Sequence, residues 1–268
     1  GLMGSAYDAD SDGVEGKYYV YSYDEIKHLQ GVDKYFQIDR EGNWENKIIL
    51  IEKKLPPLDL IEKLMDIRIK RNKPFFDQKI QLDLNCLWIS SLIAANEILP
   101  EKNYLKQAEK YFSKIEKLFI NQGVHHSYSK NIVFIEDYAF LINSLLDLSK
   151  ATMNFKYTDM AKKLSKEAID KFYIKTKNIF QKNQINSKDL FFNPVEISDN
   201  VTPNGNAIML INFARLGLLD EGEKLSTSLN GYLNIYKNFM ITAIKALDFF
   251  NSKLSGKNCN EEGCKLND

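Results

Sequence analysis

The sequence predicts a mainly α-helical protein with a few short strands, and three observations support that prediction. Apolar residues recur at three- and four-residue spacing, the period of an amphipathic helix, in eight segments. These segments cover residues 58–70, 83–99, 103–120, 134–153, 156–174, 206–217, 220–230 and 232–254. Proline and glycine stand mainly between the segments, and no alternation of strands with helices suggests a parallel sheet. Because the segments come in pairs joined by short turns, we expect helical hairpins stacked around an arc or ring.

The first 57 residues differ in pattern from the rest, and we expect them to form a segment that packs on the helices. Residues 17–22 are aromatic and β-branched, which favours an extended strand. Ser22 followed by Glu25 predicts a capping box at the start of a short helix. Residues 47–51 form a short apolar run of strand or irregular type. The predicted domains are an N-terminal segment over 1–57, a helical domain over 58–254 and a polar tail over 255–268.

An acidic, glycine-containing loop occupies residues 8–16. Asp8 to Gly13 copies the first half of a calcium-binding EF-hand loop, which needs a bidentate glutamate at its twelfth position. That position is Tyr19, and the flanking helices are missing from the pattern. A solvated turn that binds no calcium is therefore the favoured interpretation.

Composition and charge argue against several classes of function. The 268 residues are 44% hydrophobic, which is too apolar for a disordered chain. Thirty-six basic residues balance 36 acidic ones, so broad electrostatic capture of nucleic acid is not expected. The apolar runs are too short to cross a membrane, and the first residues lack the regions of a secretion signal. Three cysteines do not make a disulfide framework, so we expect a reducing, cytoplasmic location.

The sequence predicts no metal and no cofactor. Cys259 and Cys264 lie close together in the polar tail, but two further zinc ligands are missing nearby, and Cys86 has the pattern of packed core. Adjacent His125 and His126 would point apart, although one of the two imidazoles lining a pocket is compatible with the pattern. The sequence has no P-loop, no dinucleotide-binding glycine motif and no zinc quartet.

Three polar clusters precede apolar helices, and their shared position suggests a common site. In a helical ring, such clusters would meet at one end, and their carboxylates can serve general acid–base catalysis. The same residues can instead cap helices and complement the helix dipole without any catalysis. The clusters are Asp77 with Lys79, Glu136-Asp137-Tyr138, and Asn204-Gly205-Asn206.

Motifs along most of the chain resemble those of YyaL-type proteins, relatives of spermatogenesis-associated protein 20. Ala6–Gly13 with Glu15–Val20 resembles the family segment DADSEGEEGxFYVW. Other motifs follow in the family's order. They are Arg71–Pro74 leading into Asp77–Ile80 (family DDKILTSWNGL), Glu136–Ile142 (family DDYAFLI), Pro203–Ala207 (family PSGNS) and the Cys259–Cys264 pair.

The resemblance implies a fold and a missing portion. The family carries a thioredoxin-like domain followed by an (α/α) toroid similar to that of N-acylglucosamine 2-epimerases. This chain would therefore be part of an (α/α)6-toroid-like, six-hairpin glycosidase-like array, corresponding to the second half of the toroid. Three motif positions depart from the family pattern, at Gln78, Leu84-Asn85-Cys86 and Glu136.

The leading functional hypothesis is a cleft that binds or modifies a carbohydrate, with an epimerase- or glycosidase-like activity. Catalysis is assigned to Asp137, as general base or acid, with Glu136 and Asp77. Tyr138 is expected to be a platform for a sugar ring and Lys79 a polar partner. The remaining ligand-binding candidates are Asn85, Asn204 and Asn206.

The alternative is a non-catalytic interaction or regulatory module in which the altered motifs mark a lost active site. Under either hypothesis, a partial toroid would expose apolar helix faces. We therefore expect a homo-oligomer, or a separate thioredoxin-like or toroid-half chain as partner, and neither nucleic acid nor membrane.

Overall fold

The computed structural model describes residues 1–121, 123–128, 132–185 and 192–256, and it divides into two units. The N-terminal unit is Gly4–Gln78, and the helical unit contains Gly1–Met3 and the residues from Lys79 onward. Cys259, Cys264 and most of the predicted tail lie outside the described residues.

The N-terminal unit combines short strands with one longer helix. Its elements are β1 (Ala6–Tyr7), β2 (Asp10–Ser11), β3 (Val14–Glu15), α1 (Tyr23–Ile26), α2 (Val32–Tyr35), β4 (Phe36–Gln37), β5 (Ile51–Glu52), α3 (Leu58–Ile69) and β6 (Phe76–Asp77). The strands pair antiparallel, β1 with β6, β2 with β3 and β4 with β5. In the apolar core of this unit, Leu60 and Leu64 of α3 pack with Tyr21, Ile26 and Ile48. Because these N-terminal residues bury its apolar face, α3 belongs to this unit, and the boundary lies after Gln78 instead of at residue 57.

The acidic segment forms a tight hairpin between β2 and β3. Asp12 and Gly13 have φ angles of 53° and 71°, the left-handed conformation that a two-residue hairpin turn requires. The Asp12 carboxylate accepts hydrogen bonds from Lys17 Nζ at 2.8 Å and from Asn72 Nδ2 at 2.9 Å. The segment is a turn, as its sequence predicts, without the helices that flank an EF-hand loop.

The predicted capping box is present at the start of α1. The Ser22 hydroxyl accepts from the Glu25 N–H, and the Glu25 carboxylate accepts from the Ser22 N–H at 2.7 Å. The strand predicted over 17–22 is much reduced: residues 17–19 are a turn, and Tyr21 forms a single bridge with Ile48. Arg71 explains the turn, since its guanidinium donates to the carbonyls of residues 17, 18 and 20.

The helical unit is a series of hairpins. Its elements are α4 (Leu82–Ile98), α5 (Tyr104–Ile115), α6 (Ile135–Thr152), α7 (Lys156–Phe172), β7 (Tyr173–Ile174), β8 (Ile179–Phe180), α8 (Gly205–Leu216), α9 (Leu219–Tyr236) and α10 (Ile241–Gly256). Helices α4, α6, α8 and α10 pack successively against one another, and α5, α7 and α9 pack against the helices that precede them. The predicted mainly α fold with short strands is confirmed.

Helix α6 lies at the centre of this unit, since it contacts α4, α7 and α8 and most of its side chains are buried. Large rings fill the space around it, including Phe119, Phe172 and Phe213. A close approach between α9 and α10 depends on Gly222, where a Cβ would lie 2.2 Å from the Phe250 ring.

Two local features differ from the sequence prediction. Helix α9 continues through Gly231, where a break was expected, because one glycine costs a helix only about 1 kcal/mol. The break occurs instead at a 3-10 turn over Lys237–Phe239. The loops around 125–134 and 179–195 are also expected from the sequence to contain short strands. There, β8 pairs with β7, and Ser127 forms a single bridge with Gln81.

Within the described ranges, no helix has both the length and the apolar character needed to span a membrane.

Candidate functional site

A cavity of about 290 Å3 lies at the amino-terminal ends of α4, α6 and α8 in the helical unit. Carboxylate, imidazole, ammonium and amide groups reach it from three helix starts and two connecting segments. The lining residues are Asp83, His126, Phe134, Glu136, Lys182, Glu196, Ser198, Asn200, Val201, Thr202, Pro203 and Asn204. The sequence predicts that three polar clusters meet, and residues from two of them, Glu136 and Asn204, line this cavity.

His126 is held at the start of α4 by backbone hydrogen bonds. The Leu82 N–H donates to the His126 carbonyl at 2.9 Å, and the His126 N–H donates to the Ile132 carbonyl at 2.7 Å. The imidazole Nε2 lies 3.0 Å from the side-chain amide of Gln81. These contacts fix the ring in the cavity wall, with its edge toward the Phe134 ring.

Asp137 is completely buried and connects His126 to the start of α6. Its Oδ1 accepts from the His126 Nδ1–H at 2.9 Å, and its Oδ2 accepts from the Phe134 N–H at 2.9 Å. One carboxylate therefore caps the helix and orients the imidazole. The sequence left capping and chemistry as alternatives for this residue, and the structure shows the capping contact together with a histidine partner.

The charge of Asp137 changes the protonation of its neighbours. Burial opposes protonation of His126, but the hydrogen bond and charge of Asp137, with Asp83 and Glu136, raise the imidazole pKa. Burial, followed by repulsion from Asp137, raises the pKa of Asp83, whose Oδ1 lies 3.9 Å from His126 Nδ1.

Glu136 has the most perturbed carboxyl group among the cavity residues. Burial raises its pKa to about 7, with Glu196 and Asp137 adding repulsion and Lys182 opposing them. Its Oε2 is buried and has no hydrogen-bond partner among the described residues. Its Oε1 sits against the first turn of α8, where a Cβ at Gly205 would lie 3.2 Å away. A carboxyl group with this pKa can donate or accept a proton near neutral pH.

Lys182 and Glu196 also line the cavity and form an ion pair, with 2.7 Å between Nζ and Oε1. The backbone positions Lys182, because its carbonyl accepts from the Ile135 N–H and its own N–H donates to the Pro194 carbonyl. Burial opposes the charge of Lys182, but the hydrogen bond and charge of Glu196 raise its pKa.

Asn204 and Asn206 build the third wall. Asn204 caps α8 by accepting from the Ala207 N–H at 3.1 Å, and its amide donates to the Glu196 carbonyl at 2.9 Å. Asn206 is buried, accepts from the Phe180 N–H and donates to the Phe180 and Glu196 carbonyls. Asn204 lines the cavity, whereas Asn206 fixes the segments around it.

Four other sequence candidates do not line the cavity. Asn85 is buried and exchanges hydrogen bonds with the Met3 backbone, and Tyr138 is buried with its hydroxyl bonded to Glu167 and Lys171. A buried Tyr138 offers no ring face as a sugar platform. Lys79 is exposed and lies outside the lining, and Asp77 belongs to β6 of the N-terminal unit.

The sequence reasoning did not select four residues that the cavity brings together: Asp83, His126, Lys182 and Glu196. Asp83 carried a usable signal, since it stands in the first turn of an apolar helix exactly as Glu136 does. Lys182 and Glu196 lie in a segment with no periodic pattern, so only the fold reveals them.

Asp83, His126 and Asp137 are the residues best placed to hold a cation. Their ligand-type atoms lie within 4.8 Å of one another. However, His126 Nδ1 already donates to Asp137, and Asp137 Oδ2 is used by the helix cap. The group is a hydrogen-bonded histidine–carboxylate pair with a second carboxylate beside it, and we assign no metal to it.

A larger cavity of about 740 Å3 lies near β7 and contains few groups suited to catalysis. Asp170 is the one carboxylate and Lys175 and Lys177 are the cations among its described lining residues, which include no histidine. The smaller cavity is therefore the candidate site.

Comparison with known proteins identifies a fold and a distant relative. No protein-family model matches the chain. An uncharacterised protein of Caenorhabditis elegans is 26% identical over 285 aligned positions, covering 84% of this chain. The chain spans only 39% of the length of that relative.

Solved structures similar to this chain include a glycoside hydrolase family 76 α-mannanase from Bacteroides thetaiotaomicron. That structure has a TM-score of 0.52 at 12% identity, covering 70% of this chain and 56% of that one. A cellobiose 2-epimerase from Bacillus thermoamylovorans has a TM-score of 0.45 at 14% identity, covering 68% and 62%. The likeness to the α-mannanase shows the fold alone: the hairpins are arranged as in an (α/α) toroid, as the sequence predicted.

Proposed function

We propose that the cavity binds a carbohydrate and that Glu136 is the general acid or base of a sugar-modifying reaction. One observation carries the proposal. Glu136 lines the cavity, its buried Oε2 has no hydrogen-bond partner among the described residues, and burial raises its carboxyl pKa to about 7. Catalytic acids and bases work best when their pKa lies near the working pH. Perturbed carboxyl groups in a cavity are a physical indication of a functional site.

The surroundings of Glu136 support the same proposal. Hydroxyl-rich ligands are bound by convergent amides, hydroxyls and carboxylates, and Asn200 and Thr202 supply such groups. The Asn204 side chain is already engaged by the helix cap and the Glu196 carbonyl, so it holds the wall in place. The (α/α)-toroid fold is shared with an α-mannanase, which supports a carbohydrate only by analogy. The motif resemblance to YyaL-type proteins points to the same toroid class.

Asp137 takes a different role from the one the sequence suggested. Because both of its oxygens are engaged and its side chain is buried, we propose that it positions His126 and supplies a negative charge, without touching the substrate. Asp83 is the second carboxyl group that faces the ligand.

The experiment is a turnover assay over simple hexoses, N-acyl hexosamines and short oligosaccharides, followed by NMR of the anomeric protons. Glu136→Gln preserves the shape of the side chain and removes its proton transfer. We expect kcat to fall about 10²- to 10⁴-fold while KM changes little. The wild-type rate should also depend on a group that titrates near pH 7.

The matched control is Glu97→Gln. Glu97 is an exposed residue of α4 that pairs with Lys150, and the rise of the helix places it about 21 Å along the axis from Asp83. This variant should keep the wild-type rate. Absence of binding and turnover with every sugar would contradict the proposal and leave the non-catalytic module as the better hypothesis.

A further inference from the structure

Four carboxylates and two cationic groups meet at the cavity. Asp83, Glu136 and Glu196 line it, and the buried Asp137 lies directly behind His126. The cationic groups are His126 and Lys182. The carboxyl groups therefore outnumber the cationic groups by two, whichever residues pair with each other.

The ion pairs that form leave the excess negative charge at Asp83 and Glu136. Lys182 is engaged by Glu196 at 2.7 Å, and His126 is engaged by Asp137 at 2.9 Å. Asp83 Oδ1 accepts from the Leu84 N–H at 2.8 Å and lies 3.9 Å from His126 Nδ1, and Glu136 Oε2 has no hydrogen-bond partner among the described residues. The cavity carboxyl groups without a close cationic partner among the described residues are therefore Asp83 and Glu136, which both stand in the first turn of a helix.

An unmatched, buried carboxyl group disfavours a ligand that brings negative charge and favours one that brings a positive donor. A hydroxyl can donate one hydrogen bond to Glu136 Oε2, but an ammonium donates a charge-assisted bond and also offsets the surplus charge. The volume of about 290 Å3 is at the lower end of ligand cavities, which suits about one sugar ring.

Resting on the proposed function, we infer that the cavity selects a cationic amino sugar over neutral and anionic sugars, with the ammonium group bound by Glu136 and Asp83. Phosphorylated sugars and uronic acids are excluded, because Glu196 already neutralises Lys182 and no second lysine or arginine is among the described lining residues.

The test is isothermal titration at pH 7 and low salt with sugars that share one ring: D-glucose, D-glucosamine, N-acetyl-D-glucosamine and D-glucose 6-phosphate. A parallel series of the corresponding mannose sugars presents the substituent at C2 in the opposite orientation. We expect the amino sugar of at least one series to bind about tenfold more tightly than the neutral sugars, and the phosphate to show no binding. The preference should shrink as salt is raised.

Substitutions at Glu136 and Asp83 test whether these two residues produce the preference for the amino sugar. Glu136→Gln and Asp83→Asn should each reduce the amino-sugar preference several-fold while neutral sugars keep their affinity, whereas Glu97→Gln should leave the preference unchanged. Circular dichroism checks that each variant is folded, and the wild-type series is decisive by itself if a variant is not.

The outcomes separate this inference from the proposed function. Equal binding of amino and neutral sugars, or tighter binding of the phosphate, overturns the charge selectivity and leaves the carbohydrate site standing. Binding of Zn²⁺ or Mn²⁺ without any amino sugar overturns the selectivity in favour of a metal cation. If no sugar binds, both the inference and the proposed function are rejected.

Discussion

Two glutamates stand in the first turn of a helix, Glu25 in α1 and Glu136 in α6, and their environments are opposite. Glu25 accepts from the Ser22 N–H and hydroxyl and pairs with Arg71 at 2.9 Å. Burial opposes its ionisation, but these contacts lower its pKa overall. The pKa of Glu136 rises instead to about 7, because burial is not offset by comparable partners.

Position in a helix therefore does not determine what a carboxylate does. The helix amino terminus favours a negative charge at both sites by well under 2 kcal/mol. The partners that the rest of the fold brings to each side chain decide between a cap and a reactive group.

The largest expected effect comes from removing the charge behind the cavity. Asp137→Asn turns one acceptor into a donor that faces the Phe134 N–H, and it weakens the bond from His126. Breaking two buried hydrogen bonds at a fully buried side chain should lower the free energy of unfolding by about 3 kcal/mol, measured by urea denaturation.

Asp59→Asn is the control for that substitution. Asp59 also lies in the first turn of a helix, α3, but it is exposed and pairs with Lys63. It should cost less than about 0.5 kcal/mol. Equal losses in the two variants would show that a negative charge in the first turn of a helix, and not the buried contacts with His126 and Phe134, explains the effect of Asp137.

The next effect is the pH dependence of stability, where the two glutamates should differ in sign. The folded pKa of Glu136 exceeds its ordinary value of 4.5, so the folded state binds the proton more tightly. Its contribution to stability is fully present below pH 4.5 and is lost as the pH rises through about 7. Relative to wild type, Glu136→Gln should therefore gain about 3 kcal/mol between pH 4.5 and 8.

Glu25→Gln supplies the matched opposite case. The lowered pKa of Glu25 gives stability that is present above pH 4.5 and is lost as the pH falls through the folded pKa. Wild type should therefore be favoured over this variant at neutral pH, and the advantage should shrink on acidification. Chemical denaturation at a series of pH values measures how the stability difference between each variant and wild type changes with pH. The same direction of change in both variants would contradict the proposal that the two glutamates have opposite environments.

The sequence was sufficient to find the helices and part of the site, because both depend on local pattern. The start of α6, the Ser22–Glu25 capping box and the position of Glu136 follow from periodicity and capping residues. The other charged groups of the cavity do not follow from such patterns. The backbone bond from Leu82 to the His126 carbonyl places His126, and the bond from Ile135 to the Lys182 carbonyl places Lys182, and neither bond leaves a periodic signal.

A smaller effect is expected from Lys182→Met. Lys182 lowers the pKa of Glu136, so its removal should raise that pKa further, as followed by NMR titration of the labelled Glu136 side chain. The ion pair with Glu196 is a third to nearly half exposed, so stability should fall by less than about 1 kcal/mol. An unchanged or lower pKa of Glu136 would mean that Lys182 does not act on the cavity.

The smallest expected effect concerns calcium at the acidic hairpin, where many carboxylates stand close together without burial. Asp12 is already engaged by Lys17 and Asn72, and Tyr19 occupies the position of the closing glutamate. Calcium prefers six to eight oxygen ligands, which this turn does not assemble. Millimolar calcium should therefore leave the Tm unchanged, in wild type and in Asp10→Ala alike, by differential scanning fluorimetry. A calcium-dependent rise in the Tm that Asp10→Ala removes would show that the number of acidic residues, without burial, is enough to create a site in this protein.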